Sequence, residues 1–117
     1  MKKIILITLI AFFSLEAKTD YMKDIDLSNQ LLTFAEYGAK SNWSESEVNR
    51  VERMVTQFSD QDLKEIWTAN VITYALIGNL PDYPSKGMCN IAKRNISKLK
   101  DDDLKSIWNM NYSLYGC

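Results

Sequence analysis

Six residues, Asp62-Leu63-Lys64-Glu65-Ile66-Trp67, return almost unchanged 41 positions later as Asp103-Leu104-Lys105-Ser106-Ile107-Trp108. The echo runs in both directions, with Val55 mapping to Ile96, Phe58 to Leu99, Asp60 to Asp101 and Asn70 to Asn111. Self-similarity at a fixed offset predicts a tandem unit that cannot bury its apolar face alone and must stack on its neighbour.

Within each unit the spacing predicts two antiparallel helices. In the first unit, Ser44 with Glu47 forms a capping box and Trp43 with Val48 a hydrophobic staple, so a helix begins there. Val48, Val51, Val55 and Phe58 recur every three or four residues, which puts them on one face. Ser59 with Asp62 is expected to cap the next helix, which turns Leu63, Ile66, Trp67, Val71 and Tyr74 inward and stops near Gly78. Pro81 and Pro84 forbid regular helix in the connection. Met88, Ala92, Ile96 and Leu99 then mark a helix over 86–99. Asp101, Asp102 and Asp103 open the last helix, where negative charge suits the unpaired N–H groups and the helix dipole. That helix carries Leu104, Ile107, Trp108, Tyr112 and Tyr115.

Upstream, Asp24-Ile25-Asp26-Leu27 echoes Asp60-Gln61-Asp62-Leu63 and is read as the start of a leading helix. Leu27, Leu31, Phe34 and Ala35 form its apolar stripe, which stops near Gly38. The fold class expected is therefore all-α: five short helices, a leading helix plus two tandem antiparallel hairpins over about 44–78 and 85–117. No period-two run of β-branched residues argues for a sheet.

Ahead of the helical pattern, Met1-Lys2-Lys3 and the apolar run Ile4 to Leu15 have the form of a signal peptide. A dozen helical residues rise about 18 Å against a hydrocarbon core of roughly 30 Å, too short to span it. The expected cut follows Ala17, which assigns 1–17 to the signal and 18–117 to a single domain. The product is expected to be periplasmic or secreted, with no transmembrane anchor. In such a compartment two cysteines read as one disulfide, Cys89 with Cys117, because the start of one hairpin helix lies beside the end of the other. On the chain-entropy account that bond stabilises the fold by about 3–4 kcal/mol.

Loss of Lys2, Lys3 and Glu16 with the signal leaves 12 basic and 14 acidic residues, net −2, so no overall field recruits nucleic acid. The absence of histidine removes the usual proton shuttle and the commonest transition-metal ligand. No nucleophile motif or phosphate-cradling glycine loop occurs, and no cofactor or metal is implied. The recurring Asp-x-Asp-Leu is better read as helix-start acid than as a cation loop, which needs further oxygen ligands and a glycine.

Three function classes remain open. The foremost is a non-enzymatic protein that binds another protein, for which Lys86, Lys93, Arg94 and Lys98, with Lys100, form a basic patch in a unit of net charge +3 against −3 in the other. The second is a small polar ligand site built on the repeated Trp-x-x-Asn, with Trp67 and Trp108 as walls and Asn70 and Asn111 as buried amides. The third is a carboxylate-based hydrolase drawing on Glu36, Glu45, Glu47, Glu52, Glu65 and the aspartates.

Overall fold

The computed structural model describes residues 15–40 and 42–117, with side chains from Asp20 to Ala35 and from Asn42 onward. The apolar leader up to Ser14 lies outside the described residues. Five helices and no strand are present among the described residues: α1 (Leu15–Lys40), α2 (Glu45–Val55), α3 (Gln61–Ile77), α4 (Lys86–Ile96) and α5 (Asp102–Leu114). The expected cut after Ala17 falls inside the first turn of α1.

Local chemistry sets most of the helix starts. Ser44 caps α2 in a reciprocal box, its hydroxyl accepting from the Glu47 N–H (3.1 Å) while the Glu47 carboxylate accepts from the Ser44 N–H (2.9 Å). Ser85 caps α4 by the single bond its hydroxyl accepts from the Met88 N–H. Asp60 and Asp101 cap α3 and α5, accepting from the Leu63 and Leu104 N–H groups at 2.9 and 2.8 Å. The expected capping pair Ser59 and Asp62 is thus displaced by one residue: Asp60 holds the extended cap position and its carboxylate reaches the N–H three residues on. The fourth helix also ends at Ile96 rather than Leu99; Ser97, Lys98 and Leu99 form turns that carry Leu99 back into the core.

The leading helix departs further from expectation. It begins at least nine residues before Asp24, so Asp24 sits within the helix and caps nothing on its own element. Instead it is 5 % exposed, and its two carboxylate oxygens accept from the backbone N–H groups of Ser59 and Asp60, both at 2.9 Å. Asp24, Leu27 and Leu31 form the buried stripe of α1.

The core lies around α3. Trp67, Thr68, Val71, Ile72, Ala75 and Leu76 are buried, more than one face of a helix, because α2 packs on one side and α4 on the other. Val48, Val51 and Val55 come from α2, and Met88, Ile91, Ala92 and Ile96 from α4. Trp43, which lies outside the repeat pattern, is buried as well. It stacks on Tyr74 with ring centroids 4.3 Å apart, and Asn79 holds its backbone by accepting from its N–H (2.7 Å) and donating to its carbonyl (2.8 Å). Tyr21 and Tyr83 are exposed.

The second hairpin closes covalently. Gly116 takes a left-handed backbone (φ 86°), the Cys117 N–H returns to the Tyr112 carbonyl and the Gly116 N–H to Ser113. This Schellman turn bends the chain back over α4, where Cys117 pairs with Cys89 at a Cα separation of 5.6 Å. Positions 41 before the cysteines hold Val48 and Leu76, both fully buried.

Candidate functional site

Two carboxylates on neighbouring helices do the same task. Glu65 of α3 accepts from the N–H groups of Lys100 and Asp101 at 2.9 Å each, just as Asp24 of α1 accepts from Ser59 and Asp60. Each carboxylate thereby holds the start of the next helix but one, satisfying donors that precede the helix and matching the positive end of its dipole. The same pair of bonds sets α5 against α3 as α3 stands against α1. Helices α1, α3 and α5, joined at these starts rather than packed along their lengths, form one row, and α2 and α4, which touch each other, a second.

Aligned on these bonds, α1 joins the register at an offset of 41. Met22-Lys23-Asp24-Ile25 corresponds to Leu63-Lys64-Glu65-Ile66 and to Leu104-Lys105-Ser106-Ile107, and Asn29 corresponds to Asn70 and Asn111. Asp24 lies within α1 and does not play the cap role of Asp60, with which the Asp-x-Asp-Leu match aligns it. At the array's outward positions the buried residues of α3 give way to exposed polar ones. Asp26 and Gln30, hydrogen-bonded to each other at 2.9 Å, stand where α3 has Trp67 and Val71; Asn109 and Ser113 stand where it has Thr68 and Ile72.

A cleft of about 160 Å³ opens between the α2–α3 and α4–α5 turns, lined among others by Glu52, Gln61, Lys64, Glu65, Asn95 and Lys98. Its carboxylates and its Asn95 amide are all paired. Glu52 accepts from Arg94 Nε (2.7 Å) and Nη2 (2.6 Å) and from Asn95 Nδ2 (2.6 Å), with Lys98 Nζ at 3.6 Å. Burial alone raises the Glu52 pKa, but the hydrogen bonds from Arg94 and Asn95 and the charges of Arg94 and Lys98 outweigh it and hold the carboxyl below its ordinary value. A carboxylate held ionised by three donors is unsuited to act as a general acid. Asn95, 2 % exposed, also donates to the Ile91 carbonyl, a buried polar role that helical periodicity did not reveal. Every buried side-chain nitrogen and oxygen among the described residues has a partner.

The expected basic patch divides in two. Arg94 and Lys98 are turned onto Glu52, joining α4 to α2, while Lys86 and Lys93 are exposed. The expected ligand residues are not gathered into either cleft. Trp67 is buried in the core, whereas Asn70, Trp108 and Asn111 are half-buried, and among the described residues neither Asn amide makes a hydrogen bond. Asp101 caps α5 as expected of a helix-start acid; no cluster able to hold a metal occurs among the described residues.

The exposed apolar side chains sit elsewhere. Tyr21, Met22, Ile25 and Leu32 of α1, Ile66 of α3, and Ile107, Met110 and Leu114 of α5 are all open to solvent, while α2 and α4 expose no large apolar side chain. A second cleft, of about 260 Å³, lies within that row, between α1 and α3, and includes Ile25, Ser28, Asn29 and Leu63. No helix among the described residues is long and apolar enough to cross a membrane. Compared with known proteins, the chain matches no family model, and neither curated proteins nor solved structures give a match.

Proposed function

We propose that this protein is a non-enzymatic, exported helical array that acts by binding another protein through the outer surface of the α1, α3 and α5 row. The observation that carries this reading is the confinement of helix-borne exposed apolar side chains to that row. Apolar surface left open on one side of a small domain marks a contact site, since a folded chain gains by covering it. Export is supported by the Cys89–Cys117 bond, which persists in oxidising compartments.

The test sets the immobilised domain (18–117) against a variant in which Ile25, Ile66 and Ile107 are each changed to Lys, with far-UV circular dichroism confirming that both are folded. A protein retained from an envelope extract by the first and lost by the second is the expected result. Identical retention by both, or by neither, overturns the proposal.

A further inference from the structure

The row of α1, α3 and α5 repeats not only an exposed isoleucine but also an asparagine one turn later. Ile25, Ile66 and Ile107 are 41 %, 56 % and 54 % exposed, and Asn29, Asn70 and Asn111 follow each by four residues, on the same side of each helix. Packing alone does not call for this. Asn is a weak helix former, it is expensive to desolvate, and among the described residues none of the three amides bonds to the protein. An amide left both donor and acceptor beside an apolar side chain, three times at one register position, matches the needs of a polypeptide main chain, which presents one N–H and one C=O per residue.

Resting on the protein-binding reading above, we infer that this face holds an extended segment of a partner polypeptide, its main chain hydrogen-bonded by Asn29, Asn70 and Asn111 and its apolar side chains seated against Ile25, Ile66 and Ile107. A polyproline-II chain advances about 3.1 Å per residue, so a short segment can pass from one helix of the row to the next. A segment in that conformation has three residues per turn and so turns a side chain toward the face at every third residue. Its backbone makes no internal hydrogen bonds, so its polar groups are free for the amides. The cleft between α1 and α3, where Ile25 and Asn29 meet Leu63, is the first such seat.

Charge selects the occupant further. Asp20, Asp26, Asp62, Asp101, Asp102 and Asp103 are exposed along the row, outnumbering Lys23, Lys64 and Lys105. An acidic rim around an apolar and amide centre favours a segment with basic residues between its apolar ones. A membrane surface fits less well, because anionic headgroups would be repelled by that rim.

The test is selection of a random peptide library displayed on phage against the domain 18–117, with the disulfide closed. Expected are peptides with aliphatic residues at every third position and Lys or Arg between them. Binding should weaken about tenfold or more when Asn29, Asn70 and Asn111 are changed together to Ala. The side-chain amide signals of those three residues should also shift in nuclear magnetic resonance spectra on titration of a selected peptide, a response that a merely structural role would not give. Peptides that bind with those amide signals unmoved overturn the inference. If no peptide is enriched while the isoleucine-dependent protein capture persists, the extended-segment inference falls and the protein-binding reading stands. If capture is also absent, both fall. Sedimentation with phosphatidylglycerol vesicles, lost on changing the three isoleucines, overturns it in favour of a lipid surface.

Discussion

Helices α3 and α5 open with nearly the same six residues, yet they are held by different means. α3 lies between α2 and α4 and buries six side chains, whereas α5 packs chiefly on α4, with its start held by Glu65 of α3, and buries none fully. Their hairpins are closed differently too: the first by Trp43 stacked on Tyr74 and tied to Asn79, the second by the Cys89–Cys117 bond. A motif that specifies a helix start does not specify what the helix is buried against; position in the array does that. Where packing thins out at the edge, a covalent link takes over.

The two tryptophans give the sharpest contrast. Trp67→Ala should destabilise the protein by about 3–5 kcal/mol, as expected for a large buried aromatic, and Trp108→Ala, half-exposed, by about 1–2 kcal/mol. Urea denaturation of the two variants measures both, and equal losses would show that α5 is packed as tightly as α3. Opening the disulfide by Cys89→Ser with Cys117→Ser should cost about 3–4 kcal/mol. Native-state hydrogen exchange should then locate the loss, with α5 amides exchanging by local opening while those of α3 still require global unfolding.

Smaller effects separate the two capping carboxylates. Asp24→Ala strands the Ser59 and Asp60 N–H groups in a part-buried place and should cost about 2 kcal/mol; Glu65→Ala, at a more exposed turn, about 1 kcal/mol. The order of their thermal midpoints checks this. The smallest effect belongs to the tie between the even helices. Because the folded pKa of Glu52 lies below its ordinary 4.5, its stabilising contribution is fully present above that value and is lost as the pH falls through the lower folded one. The advantage of the natural chain over Glu52→Gln in urea should therefore be seen at neutral pH and shrink below about pH 4.5.

What could be read from the sequence divides by distance along the chain. The capping box at Ser44 and the acidic start of α5 depend on residues within one turn, and they could be placed from local pattern. The disulfide followed from hairpin geometry and a count of two cysteines. Asp24 was misread because its hydrogen-bond partners lie 35 and 36 residues away, while a misleading Asp-x-Asp-Leu match lay closer to hand. Glu52 and Arg94, 42 residues apart, look like ordinary helix-surface charges until the hairpins are stacked. Asn70 and Asn111 were expected to be buried and bonded because they follow apolar positions at helical spacing; the helices instead turn them toward the rim, half-buried.

The carboxylates of Asp24 and Glu65 also bear on how the chain finds its structure. The N–H groups just ahead of α3 and α5 that bond a side chain from two elements earlier stay without that partner until the earlier element has docked, and both docking events close loops of about 35 residues. Neither α3 nor α5 can reach full stability in isolation. Each pair of neighbours shares the energy of one helix start, which couples their transitions, so that the array should melt as one cooperative body.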